Sequence, residues 1–418
     1  MLYMVYWYDM QENTKNMQKK FNISPKVIIL FTVFLDVLGL GVIIPILPFY
    51  VESFNVSGMV VTVLFAVFAL FSFFSAPILG AISDRKGRRP VLLVSLASSA
   101  VGWIIFSFSH SIYGLFLGRI IDGSAAGNIS TAQNYLIDIS KDDKERSKNL
   151  GLIGAVFGVS FIIGPLIGGV LSSISMKLPF IIVGFMAVIN TILAYIFLPE
   201  THHERNTTKL SLNPFTPIIK ALKNKSILPL YLAWLFFGIA ISLNQSIFAL
   251  YIAKVFSWTV IISGLLMTLV GIIISINQAF AIRKIWLKYF KESFLMVWML
   301  IPFALGYLVM ALPYKFAFVF GLIVTAFCHS TLRVVMTSQI IGLSDKKEQG
   351  ENMGILSSIM SLSMILGPVL GGVTYVLSDT LPFILSGVIL LITFMFVYNT
   401  YRKIKSIDHT NIEPVEVI

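Results

Sequence analysis

Five ionisable residues interrupt stretches that are otherwise almost wholly apolar: Asp36, Arg119, Asp122, His329 and Arg333. A charge at membrane depth is costly, so such residues are read first as parts of an ion or substrate pathway. Asp36 lies about ten residues into its stretch. A carboxyl there can bind a proton when its surroundings are dry and release it when water or a cation reaches it. That is the chemistry of a proton carrier. The other reading is a carboxylate permanently paired with Arg119. Arg119 and Asp122 are three apart and share a helix face. Either they neutralise each other, or Asp36 and Asp122 compete for one arginine. His329 and Arg333 are four apart on one face of a later stretch. The histidine reads as a hydrogen-bonded packing residue. The arginine suits an anionic substrate, a carboxylate on another helix, or a reach toward the aqueous interface.

The elements that must position these groups follow from composition. Of 418 residues, 57% are hydrophobic and 12% charged, against roughly 25% charged in soluble domains. A bilayer is crossed by about 20 apolar residues in a helix. Twelve segments of that kind occur, at 26–50, 58–82, 90–109, 112–138, 150–173, 178–199, 227–253, 257–282, 293–312, 315–342, 352–377 and 381–401. The expected fold class is therefore an all-α membrane protein of twelve transmembrane helices, resting in the lipid bilayer. The net charge of +11 falls in short loops rather than on one face, so nucleic acid is not an expected partner. A single cysteine, Cys328, excludes an intrachain disulfide framework and a cysteine metal cluster. There is no HExxH, no nucleophile elbow and no P-loop lysine, which argues against an enzyme, a metal site or a built-in ATPase. Residues 1–20 lack the cationic start and apolar core of a signal peptide, and Met17 offers a second start.

Alternate loops hold nearly all the cations. Arg85, Lys86, Arg88 and Arg89 follow the second segment; Lys141, Lys144, Arg146 and Lys148 the fourth; Arg205, Lys209, Lys220, Lys223 and Lys225 the sixth. Arg283, Lys284, Lys288 and Lys291 follow the eighth, and Lys346 and Lys347 the tenth. The opposite loops hold only Lys177, Lys254 and Lys315, which places both termini in the cytoplasm. The chain also repeats itself. GLIGAVFGVSFIIGPLIGGVLSSISMKLPFIIVG from Gly151 aligns without gaps to GILSSIMSLSMILGPVLGGVTYVLSDTLPFILSG from Gly354, with about 14 identities over about 34 residues at a constant offset of 203 (354 − 151). Six helices plus six in one orientation imply two parallel, pseudo-symmetric six-helix bundles, the architecture of a transporter. The expected organisation is a cytoplasmic segment 1–21, a bundle 22–200, a cytoplasmic linker 201–226, a bundle 227–405 and a cytoplasmic tail 406–418.

GAISDRKGRRP, Gly80 to Pro90, resembles the signature loop of the major facilitator superfamily. In that reading Gly80 lets two helices approach closely, and Gly87 supplies the left-handed turn of a two-helix hairpin. Asp84 accepts hydrogen bonds from a facing helix N-terminus. The resemblance implies a conformational latch of Gly80, Asp84, Arg85, Gly87, Arg88 and the acid Asp138. DVLGLGVIIPILPFY, from Asp36, is similar to the first-helix motif of drug:proton antiporters, and LGRIIDG, with Arg119, to their fourth-helix arginine motif. The fifth-helix antiporter motif is matched by Gly154, Gly164, Pro165, Gly168 and Gly169, with Ser160 where glycine is expected, and its repeat holds Gly367, Pro368, Gly371 and Gly372. LPET, Leu198 to Thr201, closes the sixth helix as in many members. The second latch, NQAFAIRKIWLKYF from Asn277, lacks the aspartate and both glycines.

The resemblance implies a proton-coupled efflux carrier for small amphipathic compounds in the plasma membrane, tetracycline among the candidates. Asp36, Arg119 and Asp122 would couple the proton, and no cofactor is implied beyond it. The alternative is a symporter or facilitator for a metabolite such as a sugar or organic anion. Polar residues expected to face a small-molecule substrate are Asn128, Gln133, Asn134, Asn244, Gln245, Asn277 and Gln278, with His329 and Arg333. A monomer is expected.

Overall fold

The computed structural model describes residues 24–201, 213–225, 227–343 and 349–410. Arg205, Lys209, Lys346, Lys347, the segment 1–21 and the end of the tail lie outside them. The described chain is helical. In order come α1 Pro25–Glu52, α2 Met59–Lys86, α3 Arg88–Phe108, α4 Ile112–Ser124, α5 Asn128–Asp138, α6 Asp143–Ser172 and α7 Leu178–Phe197. A short helix α8, Thr216–Lys223, precedes α9 Leu228–Phe256 and α10 Val260–Ile276. A π-helical stretch Asn277–Trp286 leads into α11 Leu287–Tyr289, then α12 Glu292–Trp298, α13 Leu300–Met310, α14 Lys315–Gly342, α15 Gln349–Leu377 and α16 Leu381–Thr410.

Among the described residues, 11 helical stretches are long and apolar enough to span a bilayer. The remaining segment, 112–138, is two short helices separated at residues 125–127. The fold is thus the twelve-helix architecture the sequence implies, with its fourth span broken. That break is absent from the apolar pattern, because Ala125, Ala126 and Gly127 are as apolar or as small as their neighbours.

Two compact units form: residues 1–214 with 246–272, and 215–245 with 273–418. The first takes in the outer part of α9 and most of α10, which lie beyond the expected boundary at 201–226. Small residues explain this. A Cβ on Gly264 would stand 2.5 Å from the carbonyl oxygen of Pro165, and one on Gly271 would stand 2.6 Å from that of Phe161. Backbone-close packing of α10 on α6 is how helices associate where lipid is as apolar as the side chains. The hydroxyl of Thr268 adds a bond to the carbonyl of Ile162 at 3.2 Å.

The two faces of α6 use the glycines separately. Gly164 and Gly168 abut α1 at Gly41 and Val42, while Gly169 abuts Gly264 of α10. Ser160, the departure from the expected glycine, is fully buried and donates to the carbonyl of Phe34 on α1 at 3.1 Å. In the second unit Ser363, offset by 363 − 160 = 203, donates to the carbonyl of Leu235 on α9 at 3.0 Å. Gly367 there meets Ser242 of α9, and Pro368, Gly371 and Gly372 are buried. The duplication is therefore visible as a repeated hydrogen bond and not only as repeated letters.

Two motif glycines depart from their expected role. A Cβ on Gly80 or on Gly154 would meet nothing within 4 Å. Neither permits a close helix approach. The approach that matters near the ionisable residues is between α3 and α4, where a Cβ on Gly102 would stand 2.7 Å from the carbonyl oxygen of Gly118. Gly102→Ala should lower the folding stability measured by thermal unfolding in detergent, by about 1–3 kcal/mol for an overpacked contact. Gly154→Ala should leave it unchanged or raise it by up to about 1 kcal/mol, the helix-propensity difference. Equal effects of the two substitutions would overturn this reading of the glycines.

Candidate functional site

The break in the fourth span sets the geometry of the intramembrane cluster. In an unbroken helix the carbonyl of Ile121 would accept from the N–H of residue 125, and that of Gly123 from residue 127. Here the N–H of Gly127 turns to the carbonyl of Ala125 at 2.8 Å. Serines on neighbouring helices add donors, while the Gly123 carbonyl also keeps the backbone N–H of Ala126 at 3.2 Å. Ser98 of α3 bonds the Ile121 carbonyl at 2.6 Å, and Ser75 of α2 bonds that of Gly123 at 2.8 Å. Within hydrocarbon, freed backbone groups persist only where such partners exist.

Around the break the ionisable groups sort themselves. Arg119 and Asp122, both buried on α4, form an ion pair at 3.2 Å. Ser99 of α3 donates to the other oxygen of Asp122 at 2.6 Å, a contact that the close approach at Gly102 and Gly118 permits. The Arg119 guanidinium lies 4.0 Å from the ring centroid of Phe68 and 5.8 Å from that of Trp103. Two of its nitrogens, Nε and Nη2, make no hydrogen bond. Aromatic faces stabilise a cation without neutralising it.

Asp36 on α1 is held differently. Its polar partner among the described residues is the neutral amide of Asn128, which donates to Oδ1 at 3.1 Å from the start of α5. It forms no ion pair with Arg119. A permanent Asp36–Arg119 pair is thus not what the structure contains. Asp122 has the arginine, and Asp36 stands apart from it.

The loop between α2 and α3 forms a second cluster. Arg88 pairs with Asp84 one turn before it, and with Asp138 at the end of α5 at 3.1 Å. Its guanidinium also reaches the hydroxyl of Ser83 at 3.1 Å. Arg85 is exposed. Gly87 has φ 107° and ψ 162°, the left-handed region expected of it. The carboxylate facing a helix N-terminus is not Asp84, however. It is Glu200 of LPET, which accepts from the backbone N–H groups of Arg88 at 2.8 Å and Arg89 at 3.1 Å. Those are orphan donors of the first turn of α3, and an anion there is favoured by the helix dipole. A Cβ at Gly87 would overlap Glu200, standing 2.2 Å from Oε2. Gly87 therefore serves both the turn and the approach of this carboxylate. Thr201 joins the cluster by donating to Asp138 at 3.2 Å, and Arg89 donates to the carbonyl of Tyr195 at 2.7 Å.

The polar residues expected to line a substrate cavity divide. Asn244 is buried and donates to Ser386 of α16 at 2.5 Å, so it ties helices together. Asn277, at the start of the π-helical stretch, bonds Ser330 at 2.6 Å and Thr331 at 2.8 Å on α14, and accepts from the indole of Trp286 at 2.9 Å. These two amides are packing residues. Asn128 belongs to Asp36. Gln133, Asn134 and Gln245 are half-buried and Gln278 is exposed. The ring of His329 lies 5.7 Å from that of Phe237 on α9, as a packing histidine would, while Arg333 is exposed. Glu200, Ser75, Ser98 and Ser99 were not singled out by sequence reasoning. Glu200 stands in a quoted motif, but its bond to residue 88 spans 112 positions, which no local pattern reports.

The comparisons with known proteins bear on the family and the fold. The Major Facilitator Superfamily model matches residues 29–289 and 284–414. The class C tetracycline resistance protein of Escherichia coli is 28% identical over 357 residues, 84% of this chain and 90% of that protein. Multidrug resistance protein 2 of Bacillus subtilis (strain 168) is 27% identical over 375 residues, 88% and 92% of the two chains. Quinolone resistance protein NorA of Staphylococcus aureus (strain MSSA476) is 24% identical over 358 residues, 83% and 89%. Among solved structures, the human organic anion transporter MFSD10 superposes with a TM-score of 0.68 at 20% identity, covering 89% of this chain and 98% of that one. A POT family transporter gives 0.75 at 14%, covering 91% and 96%; both likenesses show the fold alone. With the family model matched across both repeats, the chain is a multi-pass membrane transporter of small molecules and belongs to the major facilitator superfamily.

Proposed function

We propose that this chain exports small amphipathic compounds across the plasma membrane in exchange for protons, by alternating access, with both termini cytoplasmic. The observation that carries the proposal is Asp36. Arg119 neutralises Asp122, while Asp36 is held by a neutral amide alone among the described residues. A half-buried carboxyl with no cation beside it is favoured with its proton on when its surroundings dry out, and without it when they do not. It gains charge when water or a cation comes near, which is the alternation a proton-coupled cycle needs. The Arg119–Asp122 pair, with two guanidinium nitrogens unbonded, keeps a cation in reserve close by on the neighbouring span. One proton moving through roughly 100 mV releases about 2.3 kcal/mol. At about 1.4 kcal/mol per tenfold, that sustains a concentration ratio of some tens without ATP. The relatives named as tetracycline and multidrug resistance proteins support efflux of drug-like compounds over uptake of a metabolite.

The cluster at Asp84, Arg88, Asp138 and Glu200 acts in this proposal as a releasable clasp. Four ionised groups and two helix-end N–H donors meet at one loop, and a small displacement of α3 against α5 and the end of α7 would break several bonds together.

In inside-out vesicles energised with a proton gradient, adding tetracycline, ethidium or a similar compound should release protons, and Asp36→Asn should abolish the signal. Absence of any drug-driven proton release from folded wild-type protein would turn the reading toward metabolite transport. For the clasp, Asp84→Asn and Glu200→Gln should each slow transport several-fold while the protein still inserts and folds. Glu200→Ala should in addition lower thermal stability by about 1–3 kcal/mol, since it strands buried donors. Normal transport in both isosteric variants would exclude the clasp.

A further inference from the structure

We infer that Arg333 is the anion-binding point of the substrate site, so that the preferred substrates are aromatic amphiphiles bearing a carboxylate; this rests on the transport reading above and deepens it. Helical geometry places Arg333 inside the protein and not toward lipid. On α14 the exposed apolar residues Phe316, Phe320, Phe327 and Val334 fall on one stripe, the side that lipid covers. At 3.6 residues per turn, Arg333 lies about 110° around the helix from that stripe. It shares its side with Leu322, Ala326, Met336 and Ile340, all of them buried. Arg333 is thus an exposed cation on a side of α14 that is otherwise buried.

No described side chain of its own unit neutralises Arg333. It forms no ion pair or side-chain hydrogen bond among the described residues. The described carboxylates of the second unit, Glu292, Glu351 and Asp379, all sit at helix ends or turns. Glu292 is engaged by Gln339 and Glu351 by Lys220. Arg333 is also nine residues from the end of α14 at Gly342, about 13 Å of helix, farther than its side chain reaches. A guanidinium kept at this depth without a carboxylate is costly unless a ligand supplies one, and its planar donor fork matches a carboxylate in two parallel bonds.

The surroundings supply the rest of the recognition. His329 lies one turn from Arg333 on the same side, and its ring packs against Phe237. One turn is about 5.4 Å, the scale that separates an aromatic ring from a nearby carboxylate in one small molecule. The half-buried His329 ring, backed by the fully buried Phe237, is the aromatic surface beside the charge.

The test is equilibrium binding to the purified full-length protein in detergent, with no gradient, so that its outcome is independent of proton coupling. The probes are norfloxacin and 1-pyrenebutyric acid, each against its own methyl ester. Wild-type protein should bind each acid about tenfold more tightly than its ester, as expected for a charge-assisted bond. Arg333→Gln should erase that preference and leave ester affinity within about twofold, and Arg333→Lys should keep part of it. If Arg333→Gln does not fold, the wild-type and Arg333→Lys preferences decide. Equal binding of acid and ester by wild-type protein, binding of neither, or a preference that survives Arg333→Gln would each overturn the proposal. Loss of drug-driven proton release with the acid preference intact would instead sink proton antiport and leave the anion point standing.

Discussion

Hydrocarbon offers no hydrogen-bond partner and no counter-ion, and the interior of the first unit is organised around that constraint. An unbonded backbone carbonyl there costs several kcal/mol, and at the broken fourth span Ser98 and Ser75 reach across from α3 and α2 to bond the Ile121 and Gly123 carbonyls. Reach across helices in turn requires close backbones. That is why Gly102 and Gly118 face each other, and why Ser99 can bond Asp122. The polar chemistry of the site is thus tied to the small residues that bring the helices together. At the membrane surface the same arithmetic runs more cheaply. Arg88 is shared by two carboxylates, and a third caps the helix on which it stands.

The duplication repeats packing but not chemistry. Ser160 and Ser363 make the same bond to the first helix of their own half. Gly164 and Gly367 both sit against that helix. Yet 203 residues on from Arg119 and Asp122 stand Leu322 and Thr325, and 203 residues before His329 and Arg333 stand Ala126 and Ser130. Each half keeps a common framework and carries its own ionisable residues. Such a division lets the ionisable residues of one half vary without those of the other.

Much of this was legible in the sequence, because hydropathy, loop charge and internal repetition are one-dimensional properties. The twelve segments are of that kind, while the Arg88–Asp138 pairing, 50 positions apart, is what the loop's resemblance to the family signature implies. What was not legible concerns direction around each helix. In a soluble helix, polarity marks the outer face. In this chain most faces are apolar whether they meet lipid or protein, so periodicity does not say where a lone amide points. Asn244 and Asn277 were accordingly read as facing substrate, and both turn out to bind neighbouring helices. Gly80 and Gly154 fail for the same reason: a motif says that glycine is present, and only the packing says which glycines are crowded. Glu200 was hidden by distance along the chain.

The broken span shows why these details bear on mechanism. Nine residues separate Arg119 from Asn128, and at 3.6 residues per turn a continuous helix would point them in opposite directions. The break lets the segment change neighbours instead. Its first half packs on α2 and α3, and its second half gains α1 and α6 while keeping α3. Arg119 and Asp122 are thereby committed to the serine of α3, while Asn128 is delivered to Asp36. One span thus serves two carboxylates in two different electrical states, one neutralised by a cation and one held by a dipole. The proposed proton coupling rests on this separation of the carboxyl from the paired cation. Here it is produced by three residues, Ala125 to Gly127, that carry no charge at all.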